Sequence, residues 1–235
     1  VYTNIRELGP GDDQQFWGDF WIHEFMGATF SAVAHALSRR LSILSINSCH
    51  DIPNLIPYGS HPLLNPNYSS GDLKIRHEGI HLSRFEKTKL ISDWDLALQR
   101  LRVCNRSEYY TNEVLNCGEC EKCVRTMLAL VATGALKQTT AFPIRTVTSE
   151  LVDQAVKIAS NTFPLYKELI LPLNKSGRHD LARAVQLKID EFHQNHNREK
   201  WKKRTITPIV EFDKKYFNGS LKRIKNHFID GYPLK

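Results

Sequence analysis

Four cysteines lie close together in this sequence, and their thiolates can bind a metal ion. Cys104, Cys117, Cys120 and Cys123 follow the spacing Cys-x12-Cys-x2-Cys-x2-Cys. Four thiolates at this spacing can surround one ion in a tetrahedron, the geometry that structural zinc adopts. Four protein ligands leave no open coordination position, so the predicted zinc is structural and does not activate water. An iron–sulfur cluster is the alternative, because Cys-x2-Cys-x2-Cys also occurs in ferredoxins.

The local sequence around these cysteines favours metal binding. Gly118 permits a tight turn in which backbone N–H groups can point at the sulfur atoms. A helix is predicted from about Glu121 to Thr133, with Cys123 in its first turn, where the helix dipole stabilises a thiolate. Lys122 and Arg125 are placed on this helix to offset the remaining negative charge.

The fifth cysteine, Cys49, stands apart from the others. An odd number of cysteines in a chain of 235 residues argues against a disulfide framework. We therefore expect reduced thiols and a cytoplasmic location. No apolar run approaches the roughly 20 residues of a membrane-spanning helix, and no signal peptide is visible, so no membrane partner is expected.

Further candidates for binding lie where predicted strands end and a predicted helix begins. Ser45 and Asn47 lie at the end of a strand, and ligands of parallel sheets sit beyond the carboxyl ends of strands. Arg84 and Lys87 open a helix, where they can hold the phosphates of a nucleotide or another anion. The alternative for these two cations is an exposed pair on the first helical turn.

Two histidines and a glycine-containing loop are candidates for contacts with a substrate. Gly59, Ser60 and His61 lie in a long loop, and His77 ends a predicted strand. Long loops inside a compact domain are usually functional or mobile. Each histidine alone is also compatible with a hydrogen-bonded structural role.

The elements that must position these residues alternate between helix and strand. Such alternation predicts an α/β fold with a parallel sheet. The predicted elements are a helix from Asp12 or Asp13 to about Arg40, a buried parallel strand over 41–46, a loop over 47–72, a strand over 73–77 and a helix from Ser83 toward Leu101, with Glu86 completing a capping box.

Helical patterns alone follow residue 147, so a domain boundary is predicted there. The first predicted domain covers residues 1–147 and includes the cysteines; the second, a basic helical extension, covers 148–235. Its helices are predicted to begin at Ser149, to run from Arg178 to His193 and to fill parts of 208–230.

The net charge of +7 resides in the last 38 residues, because Arg198 to Lys235 contain eleven Lys or Arg and four Asp or Glu. A basic tail of this kind can bind RNA or an acidic protein. Solvated helix faces are the alternative interpretation.

The cysteine segment, with Asn116 to Thr126 around its last three cysteines, resembles the C-terminal zinc segment of the PP-loop ATP pyrophosphatases. Within that family, the segment is similar to that of 7-cyano-7-deazaguanine synthase. Three weaker motifs of a related group occur in the expected order, at Thr3–Arg6, Gly59–Pro62 and Ser83–Lys87. The resemblance covers roughly residues 1 to 143.

This resemblance implies a partial Rossmann-like (HUP-type) parallel sheet that binds ATP and Mg²⁺. Members of the family adenylate a carboxylate-like substrate, and a nucleophile then displaces AMP. The Ser-Gly-Gly-x-Asp-Ser loop that binds pyrophosphate in the family is absent from this sequence. We expect it on a segment upstream of Val1 or on a partner chain, unless catalysis has been lost, and we do not expect this chain alone to turn over ATP.

The expected function is therefore part of an ATP-dependent, AMP-forming enzyme. Its expected partners are ATP, a small-molecule substrate, and either a second copy of the chain or a partner chain that supplies the loop. The alternative is a non-catalytic, zinc-stabilised module that binds RNA or an acidic protein through residues 198–235.

Overall fold

Two parallel strands form the sheet in the described part of this computed structural model, which comprises residue 5, residues 18–104, residue 106 and residues 115–217. Strand β1 (Ile43–Asn47) pairs with β2 (Lys74–Glu78), so that both strands end at the same edge of the sheet. The prediction of two parallel strands is confirmed. The prediction that the first strand is buried is wrong, because Ile46 alone is buried within β1. β2 pairs with one edge of β1, and no described strand pairs with its other edge.

Helices make up most of the described chain. They are α1 (Met26–His35), α2 (Arg84–Ser92), α3 (Asp95–Arg100), α4 (Glu121–Ala132), α5 (Ser149–Ala155), α6 (Phe163–Lys167), α7 (Ile170–Lys175) and α8 (His179–Phe217). The described chain is thus mixed α/β and mostly helical. The Rossmann-like sheet stays a prediction.

The first predicted helix ends earlier and is less regular than expected. A π-helical turn at Trp21–Phe25 leads into α1, which ends at His35 instead of Arg40. Residues 12–17, at which the helix was predicted to begin, and the Thr3–Arg6 motif, apart from Ile5, lie outside the described residues.

The helix that was predicted from Ser83 toward Leu101 is divided in two. Ser83 and Glu86 form the predicted capping box at the start of α2. The backbone of Trp94 is extended, at φ −110° and ψ 96°, and this residue separates α2 from α3. In the long loop before β2, short 3₁₀ turns occur at Ile52–Asn54 and Asn65–Tyr68.

Two hydrophobic clusters hold the fold together. The smaller one joins α1 to the sheet through Ala34, Ile46, Leu73 and Ile75. The larger one surrounds α4 and includes residues from Leu98 to Ile189. It crosses residue 147, the predicted domain boundary, so the cysteine segment and the following helices share one core.

The last helix extends well beyond the predicted Arg178–His193 segment, because α8 has 39 residues. Part of 208–230, where shorter helices were expected, belongs to it; residues 218–230 lie outside the described chain. None of the described helices combines the length and apolar character needed to cross a membrane.

Candidate metal centre and strand-end cavity

The four predicted cysteine ligands converge on one point. Their Sγ atoms all lie within 4.8 Å of one another. Four of the separations are 3.6 Å (Cys104–Cys117), 3.8 Å (Cys104–Cys120), 3.8 Å (Cys117–Cys123) and 3.4 Å (Cys120–Cys123). Sulfur atoms bound to one zinc ion at the usual bond length in a tetrahedron lie about 3.8 Å apart. The cluster can therefore hold a metal ion.

Tight backbone turns bring the sulfur atoms together. Gly118 has a φ of +79°, in the left-handed region that glycine adopts easily, as the sequence predicted. The turn lets the Cys120 N–H donate to the Cys117 sulfur at 3.3 Å, and the Arg106 N–H donates to the Cys104 sulfur at 3.4 Å. These backbone donors stabilise negative charge on the thiolates.

A buried asparagine connects the two parts of the cysteine segment. The side chain of Asn116 accepts hydrogen bonds from the N–H groups of Val103 (2.8 Å) and Cys104 (3.0 Å). It donates to the carbonyl groups of Leu101 and Ala141, both at 2.8 Å. One side chain thus fixes the position of Cys104 relative to the turn that begins at Cys117.

Helix α4 anchors the cluster in the core. Cys123 lies in its first turn and is fully buried, as predicted for the helix start. The guanidinium of Arg125, which was predicted to offset thiolate charge, forms an ion pair with Glu121 at 2.6 Å. Glu121 also accepts a hydrogen bond from the hydroxyl of Tyr166 at 2.7 Å, which ties α4 to α6.

Two of the thiols, those of Cys104 and Cys123, differ in how readily they ionise. Burial raises the pKa of Cys104, but hydrogen bonds from the backbone of Cys117 and Arg106 outweigh this effect and lower the pKa to about 7. Burial raises the pKa of Cys123, which lies deeper. Because a metal binds thiolates, loading the cluster must release protons, and metal affinity should rise with pH.

A second candidate site lies at the carboxyl ends of the two strands. It is a cavity of about 410 Å³ that contains three of the predicted residues, Asn47, Arg84 and Lys87. We call it the strand-end cavity. Lys87 Nζ donates to the carbonyl of Ser48 at 2.8 Å, and the Arg84 guanidinium donates to the carbonyl of Cys49 at 3.3 Å. Burial and the neighbouring Arg84 lower the pKa of Lys87.

The first turn of α2 was predicted to help hold an anion, but its N–H groups at Phe85 and Glu86 are directed at acceptors within the protein. Two N–H groups of the first turn have acceptors in the protein: Ser83 Oγ accepts from Glu86, and Glu168 Oε1 accepts from Phe85. An anion in the strand-end cavity would therefore meet the Arg84 and Lys87 side chains and not the helix N-terminus.

The predicted loop residues and His77 are brought together by Asn65, which is fully buried. Asn65 Nδ2 donates to Ser60 Oγ at 2.9 Å and to His77 Nδ1 at 2.8 Å, while its Oδ1 accepts from the His61 N–H at 3.3 Å. Burial, followed by the nearby His61 and Lys87, lowers the pKa of His77. A neutral His77 with Nδ1 as acceptor carries its proton on Nε2, which is buried and has no hydrogen-bond partner among the described residues.

An apolar cavity of about 680 Å³ lies between α1 and β1. Trp21 and Phe30 line it, together with Ser45, which was predicted to bind a nucleotide. Asn47 lines both this cavity and the strand-end cavity. Ser45 thus lies in a different cavity from Arg84 and Lys87. Asn47 lies between the apolar cavity and the strand-end cavity.

Sequence reasoning missed Asn65 and Glu168 as site residues. Asn65 belongs to a loop rich in Asn and Pro, where asparagine ordinarily indicates only a turn. Glu168 lies 83 positions from its partner Phe85. No signal in the sequence relates such distant residues.

The chain has no significant match among protein-family models, curated proteins or solved structures. The fold and the cysteine cluster by themselves define the class of protein. It is a mostly helical α/β protein with four cysteines placed to hold one metal ion.

Proposed function

We propose that this chain is part of an ATP-dependent, AMP-forming enzyme of the 7-cyano-7-deazaguanine synthase type, with a structural zinc ion at the cysteine cluster. The strand-end cavity carries this proposal. It lies at the carboxyl ends of parallel strands, where α/β proteins bind ligands, and it contains two cations. Phosphate groups are the ligands that such a cavity fits best.

The apolar cavity next to the strand-end cavity favours a nucleotide as the ligand, because a simple phosphate has no apolar group to fill it. Trp21 and Phe30 can contact a planar base, while Asn47 lies next to the cationic space that would take the phosphates. The base and phosphates of one ATP molecule would then occupy the two cavities on either side of Asn47.

The reaction needs a pyrophosphate-binding loop, and the motif for it is absent from this sequence. The free edge of β1 is a suitable place for a strand that carries such a loop. No described strand pairs with that edge, and Leu41, two residues before β1, and Ile43, its first residue, are exposed. An added parallel strand would cover these side chains and extend the sheet beside the cavities.

Adenylation of a carboxylate-like substrate releases pyrophosphate, and a nucleophile then displaces AMP. In this proposal Arg84 and Lys87 hold anionic phosphate oxygens, with Mg²⁺ bound to the phosphates. Gly59, Ser60, His61 and His77 hold the substrate. The zinc ion stabilises the fold and takes no part in the reaction, because all four of its ligands come from the protein.

Binding of Mg–ATP to the full chain tests the cavity. Lys87→Gln should weaken binding about tenfold or more, because a hydrogen bond to a charged group is lost. Lys89→Gln is the matched control: it removes the same charge from the exposed side of the same helix and should change the affinity less than about twofold. Equal effects of the two variants in calorimetric titrations, or no ATP binding at all, would contradict the proposal.

Elemental mass spectrometry tests the metal. We expect one zinc per chain, lost in Cys120→Ser and retained in Cys49→Ser, which lies outside the cluster. Iron with a visible charge-transfer absorption would instead identify an iron–sulfur cluster.

A further inference from the structure

A buried hydroxyl in α1 lacks a hydrogen-bond partner. Thr29 is only 2% exposed, and its Oγ1 has no partner among the described residues. A buried hydroxyl without a partner destabilises a protein, because it has given up its hydrogen bonds to water. Most buried polar groups are therefore hydrogen-bonded, and an exception such as Thr29 calls for a physical explanation.

Hydroxyls in comparable helical positions of this protein do have partners. Ser31, also in α1, donates to the carbonyl of Gly27 at 2.8 Å, and Thr88 in α2 donates to the carbonyl of Arg84 at 3.0 Å. The acceptor in both cases lies four residues earlier, where a helical Ser or Thr ordinarily finds one. Thr29 lies in the same helix as Ser31 but forms no such bond. Helix geometry alone thus does not explain the unpaired hydroxyl.

Thr29 lines the apolar cavity of about 680 Å³ between α1 and β1. Most of the other lining residues are apolar, and they include Phe30, Val33 and Leu44. A threonine in a helix has two accessible χ1 rotamers, so rotation about one bond changes the direction of its hydroxyl. A ligand in this cavity can therefore give the hydroxyl the partner that the described residues do not provide.

The lining of the cavity discriminates between kinds of ligand. A hydrocarbon chain would contact the apolar walls but leave the Thr29 hydroxyl unpaired. A nucleobase has apolar faces for the walls, and ring nitrogens or amino groups at its edge for the hydroxyl. Asn47 lines this cavity and the strand-end cavity, so a base here can remain joined to phosphates beside Arg84 and Lys87.

We propose that Thr29 determines the affinity of this chain for the base of its nucleotide, through a hydrogen bond between its hydroxyl and the edge of the base. The inference rests on the proposed function for the choice of a nucleotide as the ligand. The unpaired hydroxyl lowers the stability of the free chain, and the bound base removes that disadvantage.

Thr29→Val tests the hydroxyl, since valine replaces it with a methyl group of nearly the same size. The affinity of the full chain for ATP should fall about fivefold or more, because one hydrogen bond is lost. The melting temperature of the ligand-free chain should rise by about 2–4 °C, because an unpaired polar group is removed from the interior.

Thr29→Ser keeps the hydroxyl and removes only the methyl group. It should retain the affinity for ATP to within about twofold, while the lost packing lowers the melting temperature. The two variants thus change stability and affinity in opposite directions. A residue with a purely structural role would not give this crossed result.

Thr139→Val is the matched control, because Thr139 is equally buried but its hydroxyl has partners. It donates to the carbonyl of Leu98 and accepts from the N–H of Ala141 at 3.0 Å. Its replacement should lower the melting temperature and leave the affinity for ATP unchanged.

Calorimetric titrations with ATP and with inorganic tripolyphosphate separate the base from the phosphates. Thr29→Val should weaken the binding of ATP alone, whereas Lys87→Gln should weaken the binding of both. ATP binding that depends on Lys87 but not on Thr29 would overturn this inference and leave the proposed function intact, and a Thr29→Val chain that melts below the wild type would also overturn it. ATP binding that depends on Thr29 but not on Lys87 would support the base contact and contradict the phosphate site. Absence of ATP binding would overturn both.

Discussion

At the scale of single residues, Asn116 determines the shape of the cysteine segment. It is fully buried and makes four hydrogen bonds, each to a backbone group. An amide is the one neutral side-chain type that offers two donors and two acceptor positions in this space. The segment before Cys104 and the turn at Cys117 therefore depend on the same side chain.

Asn116→Ala should destabilise the protein by about 3 kcal/mol, because it leaves buried N–H and C=O groups without partners. Urea unfolding of the metal-free and metal-loaded chain measures this loss. Asn161→Ala, at an exposed position, should change the stability by less than about 0.5 kcal/mol. Equal unfolding midpoints for the two variants would show that Asn116 does not have this role.

At the scale of elements, the loop at Gly59 packs directly on α1. The Gly27 N–H donates to the Gly59 carbonyl at 2.7 Å, and the Gly59 N–H donates to the Ile22 carbonyl at 2.8 Å. A Cβ atom on Gly27 would meet the Asn65 side chain and, at 2.5 Å, the Gly59 carbonyl oxygen. Both glycines are needed because backbone approaches backbone, and this contact positions Ser60 and His61 beside β2.

Gly27→Ala should therefore displace the loop and cost about 1–3 kcal/mol through overpacking. Thermal unfolding measures the stability, and hydrogen exchange at residues 59–65 reports on the loop. Gly71→Ala is the control, because a Cβ there has open space. A wild-type melting temperature and wild-type exchange for Gly27→Ala would refute the close contact.

At the scale of the whole molecule, Glu168 joins the helical extension to the α/β part. It lies between α6 and α7, and its Oε1 accepts a hydrogen bond from the Phe85 N–H in α2 at 3.1 Å. Its Oε2 is buried without a partner among the described residues. Burial raises the pKa of Glu168 above its ordinary value of 4.5.

This raised pKa predicts a pH-dependent contribution to stability. Well below pH 4.5 the carboxyl is protonated in both the folded and the unfolded chain, and its contribution to stability is complete. As the pH rises above 4.5 and through the folded-state pKa, the unfolded chain ionises first, so stability is lost. Glu168→Gln stays neutral, so it should be more stable relative to the wild type at pH 7 than at pH 4. Denaturant unfolding at both pH values measures the gain.

Asp72→Asn is the control for this prediction, because Asp72 is an exposed carboxylate. As a substitution at an exposed position, it should change the free energy of unfolding by less than about 0.5 kcal/mol. An equal pH dependence for Glu168→Gln and the wild type would mean that Glu168 ionises as freely in the folded as in the unfolded chain.

The sequence by itself determined the features that depend on neighbours in the chain. The capping box at Ser83, the turn at Gly118 and the helix that begins at Glu121 were predicted, and the structure confirms them. Their hydrogen bonds join residues only a few positions apart, so local residue types suffice to specify them. The clustering of the four cysteines followed in the same way from their spacing.

Only the tertiary structure decided which distant residues meet. It placed Glu168 at the N-terminus of α2 and Asn65 against His77, and it left β1 exposed where a buried strand was predicted. These outcomes depend on how helices and strands pack, and packing energies depend on contacts between segments far apart in sequence. Local propensity and periodicity contain no information about such pairs, which is why the sequence identified the metal centre more completely than the two cavities.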